Sequence, residues 1–420
     1  RDQTPPPSSR FALQPMRTGT SSLIVAAFVG PGTVLTCASA GVDFGYALGW
    51  VLVFATGTAF VLQSFTAGTG ILARRGLGEA IRTELDGRRS RWVVTGLVVL
   101  GLWVGCAAFE LGNLIGAAAG GSALLDLGVD LRWIVAALAL ASAAILMLDL
   151  RVLIRVFAAL VIGMSGLFLV GLALAPVDWG AAVAGLAVPS VPDGAPVRVV
   201  ALIGTTVVTY NLFLHPSAAK QYWSEHHDLE DDPEARRTAW WGELRGMMLF
   251  LPIGGLVSFS ILAAGATLHG SGAEVADVEA FATLLEPVAG GFAGLCFGLG
   301  LFAAGLTSSL TAPLAAASGI CEIFGWDPNP VGRPFRAVWA SVLATGAVLG
   351  LLDLSPLPAI VAAQAANGLL LPVIAAFVLW LTLRQTVVTL PAWYRALGAA
   401  VTLICTALGA RTLWWVWQQL

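Results

Sequence analysis

The chain has 420 residues, of which 57% are hydrophobic and 11% are charged, and its formal net charge is −3. Soluble domains usually carry about 25% charged residues, so this composition excludes a water-soluble globule. We therefore predict an integral membrane protein whose main partner is the lipid bilayer, and we expect no nucleic-acid partner. Residues 1–20 contain Pro5, Pro6 and Pro7 but no apolar stretch, which predicts a disordered cytoplasmic tail.

Apolar stretches recur along the rest of the chain. A helix of about 20 such residues crosses the roughly 30 Å of hydrocarbon in a bilayer, and only helices or closed barrels satisfy the backbone there. The sequence therefore predicts an all-α polytopic membrane protein with about eleven spans. They lie near residues 21–41, 47–71, 92–120, 132–150, 152–176, 198–222, 246–268, 288–318, 336–352, 357–383 and 396–418.

Positive charge is distributed unevenly over the predicted loops. If the N-terminus is cytoplasmic, 19 of the 22 Lys and Arg residues lie inside and 3 lie outside. Positive residues near span ends stay on the cytoplasmic side. We therefore predict a cytoplasmic N-terminus, an extracellular or periplasmic C-terminus, and residence in a prokaryotic inner (plasma) membrane.

Spans one and six are interrupted by helix-breaking or polar residues at mid-membrane depth. Span one contains Gly30, Pro31, Gly32 and Thr33, and span six contains the polar run 205–211. Interrupted helices at corresponding positions of two halves indicate an inverted repeat with a substrate site between the breaks. The alternative for span one is an ordinary proline kink. We predict a first repeat at 21–176, a second at 198–383 and an additional helix at 394–420.

Spans three and six also carry groups that could titrate. Glu110 lies deep in span three, with Asn113 on the same helix face, and a carboxylate at that depth is a functional hypothesis by default. The alternative is a protonated Glu110 bonded to a neighbouring helix. His215, in the inner half of span six, is expected either to relay protons or to pack between helices.

Spans eight and ten offer uncharged polar groups. Thr307 and Ser308 could line a sodium site or bond back to helical carbonyls. Gln364 and Asn367 could orient a polar solute or serve helix packing alone. No nucleotide-binding loop, nucleophile–base pair or zinc motif is present, so we expect neither an enzyme nor a cofactor.

Four stretches together resemble the NRAMP (natural resistance-associated macrophage protein) family of divalent metal transporters. They are residues 30–46, 211–215 and 304–309, and Gln364 eight residues before Pro372. The resemblance implies the fold of the bacterial leucine transporter, with a five-plus-five inverted repeat, discontinuous helices 1 and 6 and alternating access. It also implies a proton as the coupling ion.

The sequence departs from the family at the metal ligands. The family's helix-one aspartate and asparagine and its helix-six methionine are replaced by Gly30, Thr33 and Val208. The family's helix-six proline and histidine become Thr209 and Tyr210. Transition metals need nitrogen, sulfur or carboxylate donors. We therefore predict no metal site at this position.

These observations predict a secondary active transporter for a small anionic or zwitterionic solute, such as a bicarbonate-like anion or an amino acid. The first alternative is a proton-coupled importer of Mn, Fe or Mg ions, as in the family, and the second is a passive channel or a non-transporting sensor. Glu110, Asn113 and His215 are the predicted coupling residues, and Thr307 and Ser308 the predicted sodium site. The predicted substrate-binding residues are Gly30, Pro31, Gly32, Thr33, Thr36, Val207, Val208, Thr209, Tyr210, Asn211, Gln364 and Asn367.

Overall fold

A computed structural model describes residue 20, residues 30–125, 128–148, 151–174, 176–226, 232–270, 290, 293–352, 354–384 and 391–419. Within these ranges the chain forms fourteen α-helices and no β-strand. In chain order they are α1 (Pro31–Phe44), α2 (Gly49–Ile71), α3 (Leu77–Glu84), α4 (Arg91–Leu125), α5 (Leu131–Leu148), α6 (Arg151–Leu174), α7 (Trp179–Ala187), α8 (Pro196–Thr206), α9 (Thr209–His226), α10 (Pro233–Ala266), α11 (Ala293–Phe324), α12 (Arg333–Gly350), α13 (Pro356–Arg384) and α14 (Ala392–Gln419).

The helices follow the predicted spans. By length and composition, seven segments of the described ranges could each cross a membrane: Gly49–Ile71, Arg91–Leu124, Pro196–Ser224, Pro233–Ala266, Phe297–Phe324, Pro356–Arg384 and Ala392–Gln418. A bent pair, Val161–Leu174 with Trp179–Ala187, passes the same test together, and Leu131–Met147 is a shorter apolar helix. The all-α membrane fold is thus confirmed, whereas the total of eleven spans and the repeat boundaries stay predictions.

The interruption of span six lies where the sequence predicts it, and a helix begins at the predicted interruption of span one. Helix α8 ends at Thr206 and α9 begins at Thr209, so Val207 and Val208 form a break inside span six. Helix α1 begins at Pro31, directly after an extended Gly30 with φ −96° and ψ 176°. Residues 21–29, the inner half of predicted span one, lie outside the described residues, as does the predicted tail apart from Thr20.

Span seven begins earlier than predicted. Helix α10 starts at Pro233 rather than near residue 246, because the Asp232 side chain caps it by accepting a hydrogen bond of 2.8 Å from the Glu234 amide. Proline at the first helical position suits this start, since its missing N–H has no helical partner there. The additional turns bring Glu243 into the helix.

Close glycine contacts hold α1 and α8 against their neighbours. A Cβ at Gly41 in α1 would lie 2.0 Å from the carbonyl oxygen of Leu262 in α10. A Cβ at Gly204 in α8 would lie 2.0 Å from the carbonyl oxygen of Gln364 in α13. Backbones approach this closely in membrane bundles only where side chains are small. Both helices that border a break are therefore packed into the core of the bundle.

Candidate functional site

A small cavity lies between the start of α1 and the break that separates α8 from α9. Residues from six of the helices surround it, together with Gly30 and Val208, which lie outside the helices. The lining residues are Gly30, Gly32, Thr33, Phe109, Asn113, Thr205, Val208, Tyr210, Ser308 and Gln364. Eight of these ten were predicted as site residues, and Phe109 and Thr205 were not.

Two threonines join the helices on either side of the cavity. Their hydroxyl oxygens, Thr33 Oγ1 in α1 and Thr205 Oγ1 in α8, are 2.7 Å apart and buried. Each hydroxyl can donate or accept, so the pair forms one hydrogen bond across the cavity. Thr205 was missed as a binding residue, although it is the first residue of the polar run 205–211.

Asn367 supports the break in span six. Its Oδ1 accepts a hydrogen bond of 2.6 Å from Thr209 Oγ1, and its Nδ2 donates to the carbonyl oxygens of Gly204 at 2.5 Å and Val207 at 3.2 Å. A helix that ends inside the membrane leaves carbonyls without helical partners, and unpaired groups are costly there. The structure thus places Asn367, Thr209 and Val207 behind the cavity, where they hold the break together.

Gln364 lies directly against Gly32. A Cβ at Gly32 would be 2.0 Å from Gln364 Nε2 and 2.5 Å from its Cδ, so only glycine leaves room for this amide. Gln364 is buried, and its Oε1 has no hydrogen-bond partner among the described residues. A buried unpaired oxygen that lines a cavity is a position where a ligand gains affinity. Gln364 is therefore the best-placed ligand-binding side chain of the predicted set.

Of the two residues predicted to bind sodium, Thr307 and Ser308, only one faces the cavity. Thr307 Oγ1 donates to the carbonyl oxygens of Ala303 and Ala304 at 2.9 and 3.0 Å, so its hydroxyl is bonded within its own helix. Ser308 lines the cavity, and its Oγ lies 3.2 Å from the point that a Cβ on Gly30 would occupy. Only Ser308 of this pair therefore faces the site.

Glu110 is fully buried but lies behind the cavity. Its Cγ and Cβ pack against Gly346 of α12, where an added Cβ would be 2.6 and 2.7 Å away. Neither carboxyl oxygen has a hydrogen bond of standard geometry within the described ranges. Asn113, one turn along α4, lines the cavity. Phe109, which directly precedes Glu110, also lines the cavity. Its ring contacts the Tyr210 ring edge-on, with 5.4 Å between the ring centres.

His215 belongs to a second polar cluster, outside the cavity. Its Nε2 lies 3.1 Å from Glu243 Oε1, and both side chains are fully buried. Thr20 Oγ1 donates to Glu243 Oε1 at 2.7 Å, and Trp223 Nε1 donates to Oε2 at 2.8 Å. Glu110 is therefore not the only fully buried acid among the described residues. Glu243 was missed because span seven was predicted to begin after it, although Asp232-Pro233 is a helix-start signal.

Besides Val207, Thr209 and Asn367, three further predicted substrate residues do not line the cavity. Thr36 Oγ1 and Asn211 Nδ2 are buried without a hydrogen bond among the described residues. The Pro31 ring packs against Gly116 of α4. These side chains lie in the helices around the cavity, so their contact with a solute stays a prediction.

The cavity presents neutral oxygen donors and two helix ends of opposite polarity. No acidic side chain lies in the first turn of α1, whose free N–H groups make that end partly positive. Helix α8 ends beside the same space and is partly negative at its C-terminus. Among the described residues, no three His, Cys, Asp or Glu side chains come together in a way that could hold a metal ion. A cargo would be held by hydroxyl and amide oxygens.

Comparison with known proteins identifies relatives over most of the chain. Residues 21–415 match the family model described as natural resistance-associated macrophage protein-like. The divalent metal cation transporter MntH of Burkholderia ambifaria is 32% identical over 327 residues, which cover 73% of this chain and 70% of the relative. The MntH protein of Yersinia pestis is 30% identical over 305 residues, or 71% and 70% of the two chains.

Solved structures show the same architecture. A manganese transporter of Eremococcus coleocola superposes with a TM-score of 0.74 at 19% identity, over 93% of this chain and 85% of that one. Mhp1, a nucleobase-cation-symport-1 family transporter, superposes with a TM-score of 0.59 at 15% identity, over 96% and 92% of the two chains. These likenesses confirm the leucine-transporter-type fold that the sequence predicts.

Proposed function

Because the chain belongs to the NRAMP family of membrane transporters, we propose that it is a secondary active transporter whose cargo is a divalent metal cation bound through neutral oxygen atoms. It is a transporter and not an enzyme. The names of its relatives favour this alternative over the anionic or zwitterionic solute that the missing ligands suggested. We place it in a bacterial inner membrane on the same basis.

The donor set supports a hard cation. Thr33, Thr205 and Ser308 offer hydroxyl oxygens, and Gln364 offers an unpaired amide oxygen. Oxygen donors suit Mg²⁺ and Mn²⁺, whereas softer metals prefer sulfur or nitrogen. With no carboxylate on the lining, the cation is expected to keep several of its waters, as Mg²⁺ usually does in proteins. The observation that carries the proposal is the unpaired oxygen of Gln364, which lines the cavity. The chain's membership of a family of metal transporters makes a cation the expected ligand of that oxygen.

Uptake into proteoliposomes tests the cargo. The purified protein is reconstituted, and uptake of Mg²⁺, Mn²⁺ and Cd²⁺ is measured under an inward proton gradient, with protein-free liposomes as the control. We expect saturable Mg²⁺ or Mn²⁺ uptake and at least about tenfold weaker Cd²⁺ uptake, because no sulfur or nitrogen ligand lines the cavity.

The same liposomes distinguish the other candidates. The positive end of α1 favours a carboxylate or bicarbonate, so labelled bicarbonate and alanine are tested in parallel. Uptake of either solute without any uptake of a divalent cation would replace the proposed cargo. Uptake that rises linearly with concentration and ignores the proton gradient would indicate a passive channel instead.

Glu110 is the proposed proton-coupling residue. It is a fully buried acid with no cationic partner within the described ranges, and it lies on α4 one turn from the cavity-lining Asn113. We expect Glu110→Gln, which keeps the side-chain volume, to abolish the stimulation of uptake by an inward proton gradient. Uptake of Mn²⁺ is measured with and without that gradient. An unchanged ratio of the two rates would remove Glu110 from the coupling mechanism.

A further inference from the structure

Two arginines converge on one tryptophan at an end of the helix bundle. The guanidinium carbon of Arg88, in the loop after α3, lies 5.8 Å from the centre of the Trp380 ring. The guanidinium carbon of Arg384, at the end of α13, lies 5.1 Å from the same centre. Arg88 Nε also donates to the carbonyl oxygen of Glu84 at 2.8 Å, which fixes its direction. Two like charges thus contact a single indole.

In the part of the chain that the structure describes, no carboxylate pairs with either arginine. Residues 84–91 and 384–395 contain five arginines and two acids, and one of the acids, Asp86, is paired with Arg91 at 2.6 Å. Within the described ranges, neither Arg88 nor Arg384 forms an ion pair. Residues 385–390, outside those ranges, contain no acidic residue. The positive charge of this surface is therefore available to an external anion.

The opposite end of the bundle is different. There Arg132 pairs with Asp130 at 2.5 Å, and Arg198 pairs with Asp43 at 3.0 Å. These two arginines are neutralised by their own chain, whereas Arg411 at that end forms no ion pair within the described ranges. Two arginines without ion pairs that contact one indole are thus found at the end that carries Trp380, which the charge asymmetry predicts to be cytoplasmic.

Exposed aromatic side chains place the pair at the level of the lipid headgroups. Trp92, at the start of α4, is 70% exposed, and Trp393, at the start of α14, is 68% exposed. Tryptophans with this exposure at the ends of spans lie in the interface between hydrocarbon and water. Trp380 is partly buried one turn before the end of α13, so we expect both guanidiniums at the level of the lipid phosphates.

We propose that Arg88 and Arg384 form a binding site for the phosphate of an anionic phospholipid headgroup, beside the Trp380 ring. Arginine binds phosphate through charge-assisted and often bidentate hydrogen bonds, and basic surfaces at the cytoplasmic ends of helices recognise anionic lipids. A lipid bound there joins the loop after α3 to the end of α13, the helix that carries Gln364 and Asn367. This inference is independent of which cargo the transporter moves.

Lipid binding to the full chain tests the proposal. The purified protein is titrated in detergent with phosphatidylglycerol or phosphatidylcholine, and bound lipids are counted by native mass spectrometry. We expect selective retention of phosphatidylglycerol, and roughly thirtyfold weaker retention in the double variant Arg88→Gln/Arg384→Gln, since each arginine near a membrane surface contributes about a factor of five in affinity.

The matched control removes the same charge from the other end. The double variant Arg132→Gln/Arg411→Gln should retain phosphatidylglycerol as the unmodified protein does. Equal retention of both lipids by the unmodified protein, or equal loss in the two double variants, would overturn the proposal. Displacement of phosphatidylglycerol by an equal concentration of inorganic phosphate would also overturn it, in favour of a soluble phosphate. Should the double variant fail to fold, Arg384→Gln alone must show a loss of about fivefold.

Discussion

Replacing Gly32 by alanine is expected to weaken cargo binding strongly while leaving the protein folded. The new Cβ would lie 2.0 Å from Nε2 of Gln364 and 2.5 Å from its Cδ. The nearest atoms belong to the end of a flexible side chain and not to a backbone, so the amide moves and the helices stay in place. The cavity then loses its unpaired buried oxygen, Gln364 Oε1.

The size of the effect follows from the contact that is lost. A hydrogen bond or ligand contact to a charged group contributes about 1.5–3 kcal/mol, so cargo affinity should fall by about 10- to 100-fold. Uptake into proteoliposomes is measured as a function of cargo concentration, and folding is checked by size-exclusion chromatography. The dissociation constant of the cargo is expected to rise, whereas the elution volume of the protein should stay the same.

Gly57→Ala is the matched control for this substitution. Gly57 lies in α2, and no atom lies within 4 Å of the position that its Cβ would take. This variant should transport at the rate of the unmodified protein. If Gly32→Ala transports equally well, Gln364 does not contact the cargo and the site must be placed elsewhere between the breaks.

Replacing Glu243 by alanine is expected to produce the largest loss of stability. Its carboxylate accepts hydrogen bonds from Thr20 and Trp223 and is paired with His215 at 3.1 Å. Removing one partner of a buried pair costs about 3–5 kcal/mol, because the groups that remain are buried without a partner. Thermal unfolding in detergent measures the effect as a lower melting temperature.

Controls on the same helix separate the pair from a general effect of charge. Glu234 is exposed in the first turn of α10, so Glu234→Ala should change stability by less than about 0.5 kcal/mol. The double variant His215→Ala/Glu243→Ala should be little less stable than Glu243→Ala, because residues that act as a pair are not additive. Equal melting temperatures for Glu243→Ala and Glu234→Ala would mean that the cluster does not stabilise the fold.

The cluster also connects segments that are distant in the chain. Thr20 precedes the first span, His215 lies in α9 and Glu243 in α10, so three segments meet at one carboxylate. Loss of the pair should therefore loosen the contact between the start of the chain and the inner half of span six. That expectation can be checked by comparing the rate at which a protease cleaves the chain near Thr20 in the unmodified protein and in Glu243→Ala.

The sequence by itself determined the membrane fold, the family, the break in span six and the helix start at Pro31. Each of these depends on residues that are contiguous in the chain. About 20 apolar residues partition into lipid as a helix wherever they lie. Pro31 between two glycines and the polar run 205–211 interrupt their own helices through local backbone chemistry.

Only the tertiary structure decided which polar groups meet. Thr33 forms a hydrogen bond with Thr205, which lies 172 positions later in the chain. Asn367 accepts a hydrogen bond from Thr209, 158 positions earlier, beside the break in span six. His215 pairs with Glu243. The tertiary structure also separated Ser308, which faces the cavity, from Thr307, which bonds within its own helix. Helix packing chooses such partners, because the direction of each side chain depends on how two helices are rotated about their axes. That rotation is set by close contacts, such as Gly204 against Gln364, between residues that carry no pairing signal in the sequence.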